Sequence, residues 1–257
     1  MPPDSSRPYE SPLLQCADAG PGRMSLELGP VPRRELPHVA GLLAGAAVAD
    51  ITPPPGMPKA GYSANAVDGR GFRTRLRARV VHLRSGETSL ALVACDLLGG
   101  SAILQHLIAR TVAEWTDVPI EGLLIGATHT HAGPGQFLGT DFYNRYASNR
   151  AGFDAAYSQF LVEEISAGVI RAFDSRRPAV LATGSADVYG LTRNRSLAAH
   201  LENASVASEP CGADRKFSAV NPRLHLLRVD SDRDGQGYAP LAALAVFSVH
   251  GTGISVR

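Results

Sequence analysis

The chain has 257 residues, of which 44% are apolar and 19% charged, and 25 lysines and arginines against 24 aspartates and glutamates leave a formal charge of +1. This is a globular composition rather than a disordered one, and with no block of positive charge able to neutralise many phosphates it argues against a nucleic-acid partner. The three cysteines, Cys16, Cys95 and Cys211, cannot all pair and none stands in a metal-type spacing, which excludes a disulfide framework; the longest apolar run, residues 39–49, is shorter than the roughly 18 residues a membrane span needs.

Residues 1–36 are rich in Pro, Ser and Gly without periodicity and read as a flexible leader, with Met24 as a candidate start. Arg33 and Arg34 precede the apolar run as in a secretory signal, but the run starts late and passes directly into a strand pattern. No clear signal peptide is therefore read, and the compartment stays open. Ala46 to Thr52 reads as a strand stopped by Pro53-Pro54-Pro55-Gly56, since proline removes ladder donors. Leu76 to Arg84 alternates, Ser89 to Cys95 is apolar, and Ser85-Gly86-Glu87 between them is turn material, so the two pair as a hairpin. Ser101 is placed as the N-cap of a helix running to about Trp115, because Leu104, Leu107, Ile108 and Val112 recur at helical spacing.

Gly122 to Thr128 is a short apolar run bounded by turn signals, the pattern of a buried central strand. A second helix is expected from about Phe153 to Phe173, with Tyr157, Leu161, Ile165 and Val169 on its inner stripe and Glu163, Glu164 and Arg171 outside. Three further strands follow at Ala179 to Val188, Arg223 to Asp230 and Pro240 to His250. Together these elements predict a mixed α/β sheet with packed helices in a single domain.

Chemistry concentrates where two apolar strands end. Thr128-His129-Thr130-His131-Ala132-Gly133-Pro134-Gly135 places two imidazoles on one side of an extended strand, ahead of a sharply bending turn. Leu241 to Val249 ends in the same manner at His250, with glycine beyond it. Neutral imidazole nitrogens suit zinc, and a zinc site gathers ligands from distant parts of a chain. A His-Thr-His strand end whose rings are satisfied by carbonyls, and a merely capped strand end at His250, are the structural alternatives. His38, His82, His106 and His225 fall in structural contexts, while His200 is a weaker candidate. Asp96 either orients an imidazole N–H, as ligating histidines require, or caps its strand.

Taken in order, Ala49-Asp50-Ile51-Thr52-Pro53, Gly61-Tyr62, Leu76-Arg77-Ala78-Arg79, the ATHTHAGPG of residues 127–135, Arg193-Asn194-Arg195-Ser196-Leu197 with His200-Leu201, and Val249-His250 resemble the N-terminal part of the neutral/alkaline non-lysosomal ceramidase family. These are zinc hydrolases of the amide bond in N-acylsphingosines, releasing sphingosine and fatty acid. The resemblance runs from about residue 45 to the end. It implies Zn²⁺ held by His129 and His250, with His131 and Arg195 beside the metal in catalytic roles and Gly61 lining the substrate pocket. A rigid, permanently charged guanidinium at Arg195 suits an oxygen-rich headgroup or a developing oxyanion; a loop salt bridge is its structural alternative.

The family takes further metal ligands, a Glu and a Tyr, and its active-site serine from sequence beyond the second histidine. The resemblance thus implies that residues 37–257 form the N-terminal portion of a truncated catalytic domain, whose own activity is open. It also implies a ceramide-like lipid substrate, met through peripheral membrane contact because no anchor is read. Two other functions fit the residues: a non-catalytic metal- or lipid-binding fragment, and another metallohydrolase such as a phosphoesterase. The latter would draw on Asp96 and Asp68 for a second metal.

Overall fold

The computed structural model describes residues 17–18, 24–206 and 214–251; Cys16 and Cys211 lie outside them. The chain divides into two compact units, Met1–Arg176 with Gly251–Arg257, and Arg177–His250.

The first unit opens with a two-stranded ribbon, β1 (Ala17–Asp18) and β2 (Met24–Ser25), paired antiparallel. Its sheet is formed by β3 (Val39–Asp50), β4 (Arg77–Gly86), β5 (Thr88–Cys95) and β6 (Leu123–Ala127), in the order β6-β5-β4-β3. The first three are antiparallel neighbours, whereas β6 runs parallel to β5 with Ala91 opposite Leu123 and Cys95 opposite Ala127; expected as a buried central strand, β6 instead ends the strand order and buries only Leu123, because no described strand pairs with its other side. The sheet is thus mixed, as expected. Parallel pairing needs a crossover, and α1 (Ala102–Ala113) supplies it. The Ser101 side chain accepts from the Leu104 amide, as an N-cap should.

The long helix α3 (Ala155–Asp174), capped by Asp154, packs on β3 and β4 and against α1. Leu161, Val162, Ile165 and Val169 join Val80, Val93, Leu107, Ile108 and Val112 in one buried cluster. Close approach of helix to sheet is set at Gly45, where a Cβ would lie 2.0 Å from the Ala172 carbonyl oxygen, so only glycine fits there.

Three local features depart from the sequence reading. Strand β3 begins at Val39 rather than near Ala46, its extra residues joined through a bulge between Val39 and Leu42; small residues hid this extension from a pattern search. Part of the segment read as leader touches the body of the unit: Val31 packs on the core, the Gly29 carbonyl meets His106 Nε2 at 2.7 Å, and Arg34 donates to the Glu114 carbonyl at 3.0 Å. Finally, α2 (Asp141–Tyr146) was not foreseen, because it buries none of its side chains and so carries no apolar stripe.

The second unit is an antiparallel meander of β7 (Arg177–Asp187), β8 (Arg223–Asp232) and β9 (Tyr238–Val246). Two short helices, α4 (Leu197–Leu201) and α5 (Arg215–Ser218), lie in the long β7–β8 connection. Strand β9 ends at Val246, opposite His225 and four residues before His250, rather than reaching that histidine as the apolar run suggested, although β8 itself continues to Arg223 opposite Asp187 on its other side. Among the described residues no helix is long and apolar enough to cross a membrane.

Candidate functional site

Parallel pairing of β5 and β6 brings their C-terminal ends to one edge of the first unit. Past Cys95 and Ala127 the two chains remain joined: the Thr128 amide donates to the Cys95 carbonyl at 2.9 Å and the Thr130 amide to the Leu97 carbonyl at 3.2 Å. Between these ties His129 adopts φ +57°, a left-handed conformation uncommon for a residue with a side chain. Strain of this kind persists where the surroundings enforce it and clusters at functional positions.

The enforcing contact is between His129 Nδ1 and the Leu98 carbonyl oxygen, at 2.6 Å. A carbonyl can only accept, so Nδ1 carries the proton and the neutral ring presents its Nε2 lone pair on the opposite side. That Nε2 stands 3.4 Å from His131 Nε2. Two nitrogens around one zinc, each at roughly 2.0–2.1 Å in tetrahedral array, are about 3.3–3.4 Å apart, so an ion held at His129 Nε2 would have the His131 ring immediately beside it. A backbone carbonyl behind a ligating imidazole is also the usual means of fixing its tautomer and direction.

His131 is buried, 8% exposed, and is clamped on two sides. Tyr62 meets it edge-on with ring centroids 4.9 Å apart, and a Cβ at Gly61 would lie 2.5 Å from its Cγ and Nδ1. Gly61 has φ +96° and is fixed by the hydrogen bond its amide donates to the Ala147 carbonyl at 2.8 Å. It backs the imidazole and is not among the residues that line the neighbouring cleft. Gly61→Ala adds a clash to a strained φ, and we expect it to cost about 3 kcal/mol. A calorimetric scan should then show the melting temperature lowered by about 6–12 °C.

The cleft beside His131 has a volume of about 390 Å³ and is walled by Pro53, Pro54, Pro55, Met57, Phe72 and Leu76, with Lys59, Arg70, Arg73 and Thr130 as polar members. The Ala-Asp-Ile-Thr-Pro motif builds its near wall. Thr52 leaves β3 with its amide on Asp50 Oδ1 at 3.0 Å, and its hydroxyl oxygen accepts from the Leu76 amide at 2.9 Å. The hydroxyl and amide of Thr52, followed by Arg77, hold the Asp50 carboxyl below its ordinary range despite some opposing desolvation. The three prolines then turn the chain along the cleft.

Asp96 does not orient an imidazole. It accepts from the Arg77 amide at 2.9 Å and pairs with Arg79 at 3.0 Å, while the Thr128 hydroxyl donates to its other oxygen at 3.3 Å. It ties the ends of β4 and β6 together one residue ahead of His129. Asp68 is likewise engaged, by Arg150 and Asn149, each at 3.3 Å. Neither acid stands as a ligand for a second metal. The Cys95 thiol is pushed up to about 12, by burial and then by the Asp96 charge.

In the second unit, Arg195 is exposed on the loop before α4. The preceding Asn194 shapes that loop: its amide donates to the Lys216 carbonyl at 2.7 Å, its side chain to the Ala219 carbonyl at 3.0 Å, and its Oδ1 accepts from the Ser196 amide at 2.9 Å. No ion pair to Arg195 is present among the described residues. His200 lies in α4. His250 is exposed and closes this unit; its chain neighbour Gly251 belongs to the first unit and lies against the His129 carbonyl, 3.1 Å from where its Cβ would stand.

Sequence reasoning overlooked the Leu98 carbonyl and the Tyr62 ring edge. A backbone acceptor leaves no residue-type signal, whereas Tyr62 was marked by its place in the Gly-Tyr motif.

Comparison with known proteins places these residues in a lineage. Residues 42–257 match the family described as neutral/alkaline non-lysosomal ceramidase, N-terminal. A neutral ceramidase of Mycobacterium tuberculosis is 31% identical over 227 residues, covering 84% of this chain and 33% of that protein. One from Pseudomonas aeruginosa is 29% identical over 199 residues, 76% of this chain and 28% of its own length. The crystal structure of neutral ceramidase from Pseudomonas aeruginosa superposes with a TM-score of 0.70 at 26% identity, over 85% of this chain and 33% of that one. The chain thus spans about a third or less of the length of these relatives, and over that span it belongs to the neutral/alkaline non-lysosomal ceramidase family.

Proposed function

We propose that the chain contributes the histidine side of a zinc-dependent amidase site that cleaves N-acylsphingosines to sphingosine and fatty acid. The observation that carries this reading is His129 Nε2, aimed by the Leu98 carbonyl, with His131 Nε2 3.4 Å away on a ring that lines a largely apolar cleft. In this reading residues 37–257 are the N-terminal portion of the ceramidase catalytic domain. His129 and His250 hold the metal, His131 and Arg195 serve the reaction beside it, and Gly61 acts on substrate binding through the His131 ring it backs. A zinc ion bound there would act as a Lewis acid on the amide carbonyl and lower the pKa of a bound water.

The chain's own residues set the stage for that chemistry. Leu98 keeps the proton on His129 Nδ1 and so leaves the lone pair on Nε2. Tyr62 and Gly61 hold the His131 ring at a fixed angle. Arg195 offers a charged donor fork to the hydroxyl-bearing head of the substrate or to the developing oxyanion, and the proline-rich wall excludes water from an acyl chain. The name of one structural relative, "Ceramidase complexed with C2", superposing with a TM-score of 0.70, accords with a short-chain ceramide as the probe.

The test is to load the purified chain with zinc, remove excess metal, and follow release of fatty acid and sphingosine from a short-chain N-acylsphingosine, with metal content measured on the same sample. One equivalent of zinc is expected, and chelator-sensitive amide cleavage on the same sample would show that these residues suffice for the reaction. Absence of bound zinc would overturn the proposal, one equivalent of zinc without cleavage would limit the chain by itself to metal binding, and cleavage of a phosphate ester in place of the amide would make it a phosphoesterase.

A further inference from the structure

The cleft beside His131 is charged in a way that an uncharged substrate does not use. Its lining includes Lys59, Arg70 and Arg73 but no aspartate or glutamate. The acids on the segments that build it are committed outside the cleft: Asp50 pairs with Arg77 at 3.1 Å and Asp68 with Arg150 at 3.3 Å. Arg70 and Arg73 are exposed and form no ion pair with any described carboxylate. Their charge is therefore not met within the described protein, and a concave wall of apolar side chains strengthens the field that such charges cast on a ligand.

The loop that carries the two arginines is held at both ends. The Gly56 amide donates to the Gly69 carbonyl at 2.7 Å and the Gly69 amide to the Met57 carbonyl at 2.9 Å, while the Leu76 amide donates to the Thr52 hydroxyl oxygen at 2.9 Å. Between these ties the Arg75 guanidinium carbon lies 4.6 Å from the Phe72 ring centroid. Arg75 thus backs the ring, whereas Arg70 and Arg73 share the cleft with it. One cleft combines the imidazole of the candidate metal edge, a wall of Pro53, Pro54 and Pro55 that suits an alkyl chain, and two guanidinium groups. A guanidinium is a planar donor fork that matches a carboxylate in shape as well as in charge.

We propose that this site also takes amides that carry an ionised carboxylate beside the scissile bond, the class of the N-acyl amino acids, and prefers them to uncharged amides of equal chain length. Arg70 and Arg73 read the carboxylate, and the proline wall takes the acyl chain. The inference rests on the amidase reading and extends it, since an N-acylsphingosine is uncharged and leaves both arginines unused. Hydrolysis of such an amide breaks its C–N bond, adds the hydroxyl of water to the acyl carbon and the remaining proton to the nitrogen, and releases a fatty acid and an amino acid. The carboxylate takes no part in that bond change, so the two arginines act on affinity and KM rather than on kcat.

The experiment is calorimetric titration of the full metal-free chain with N-decanoylglycine, with its uncharged analogue N-decanoylethanolamine and with decanoate, at low and moderate salt. N-decanoylglycine is expected to bind about 10-fold more tightly than the uncharged amide, with the difference shrinking as salt is added. Arg70→Gln/Arg73→Gln should erase that difference and leave the affinity for N-decanoylethanolamine unchanged. Both side chains are exposed, so the variant should melt with the parent, and the melting curve verifies it. Equal affinities for the two amides, or a preference that survives the double substitution, would overturn the proposal. So would decanoate binding as tightly as N-decanoylglycine, because the cleft would then hold the released acid and not the amide. Zinc content measured on a metal-loaded sample keeps the two readings apart: absent zinc with the preference intact counts against the amidase, and bound zinc without the preference counts against this inference.

Discussion

Asp117→Ala should be the most destabilising single substitution in the first unit, costing about 3–5 kcal/mol and lowering the melting temperature by about 6–20 °C. Arg84 is 1% exposed, and a buried guanidinium is tolerated only when its charge and its five donors are met. Its Nε donates to Asp117 Oδ2 at 3.0 Å, and its terminal nitrogens reach the carbonyls of Pro37, Gly86 and Thr88. Asp117 also pairs with Arg176 at 3.4 Å and receives the Ser89 hydroxyl at 2.6 Å, while Ser89 in turn meets Nε2 of the fully buried His82 at 2.9 Å. Without the carboxylate, the buried arginine has no counter-charge. The double variant Arg84→Met/Asp117→Ala removes both charges and should recover at least half of the loss, because an apolar side chain of similar length suits a buried site.

The same carboxylate fixes the acid limb of stability. Burial on its own would raise the Asp117 pKa, but the hydrogen bonds from His82 and Ser89 and the charges of His82 and Arg176 outweigh it and hold the group well below the usual carboxylate range. A folded value below the unfolded one means that the stabilisation is complete above about pH 4, the ordinary aspartate value. It is lost as pH falls through the depressed folded value. Denaturant midpoints measured from neutral pH downward should fall in the parent below about pH 4 and be flatter in Asp117→Ala. Parallel curves would show that another acid governs this limb.

The second large effect concerns His129. His129→Gly should lower zinc affinity on the order of 100-fold or more, beyond the roughly 10–100-fold typical of a residue that only supports a ligand. Its effect on the metal-free fold should stay within about 1 kcal/mol. The reason is a cancellation: glycine accepts φ +57° without the penalty a side chain carries there, which offsets the lost bond to the Leu98 carbonyl. Competition with a chromophoric chelator gives the affinity, and thermal unfolding of the metal-free protein gives the stability. Unchanged zinc affinity would remove His129 from the site.

Much of the first unit was legible in the sequence. Helix α1 and its Ser101 cap, the β4–β5 hairpin and the inner stripe of α3 each rest on local periodicity or on a capping side chain, and such signals are confined to neighbouring residues; β6 was legible as a strand, but not its place at the end of the strand order, because an apolar run does not say which neighbours it pairs with. The ATHTHAGPG segment was legible as chemistry because polar ring donors follow an apolar strand without interruption. The buried charge cluster was not legible. Leu76 to Arg84 alternates as if half of it faced water, yet His82 and Arg84 are buried, because Asp117, far off in sequence, supplies what solvent would have supplied. The reach of β3 back to Val39 was hidden for a different reason: its alanines and glycines satisfy strand and loop patterns alike. Likewise, the acceptor that aims His129 is a main-chain carbonyl, which any residue at position 98 would provide.

The contact between His129 and Leu98 joins residues 31 apart in sequence, across a crossover that must be complete before β6 can lie beside β5. Closing such a loop is slow compared with forming a hairpin or a helix, because chain entropy is lost before any pairing energy returns. In refolding, the β3–β4–β5 meander should therefore gain amide protection first, and the histidine edge last. Ions present early in synthesis would then meet flexible imidazoles, and the oriented pair would arise only once the parallel strand has docked.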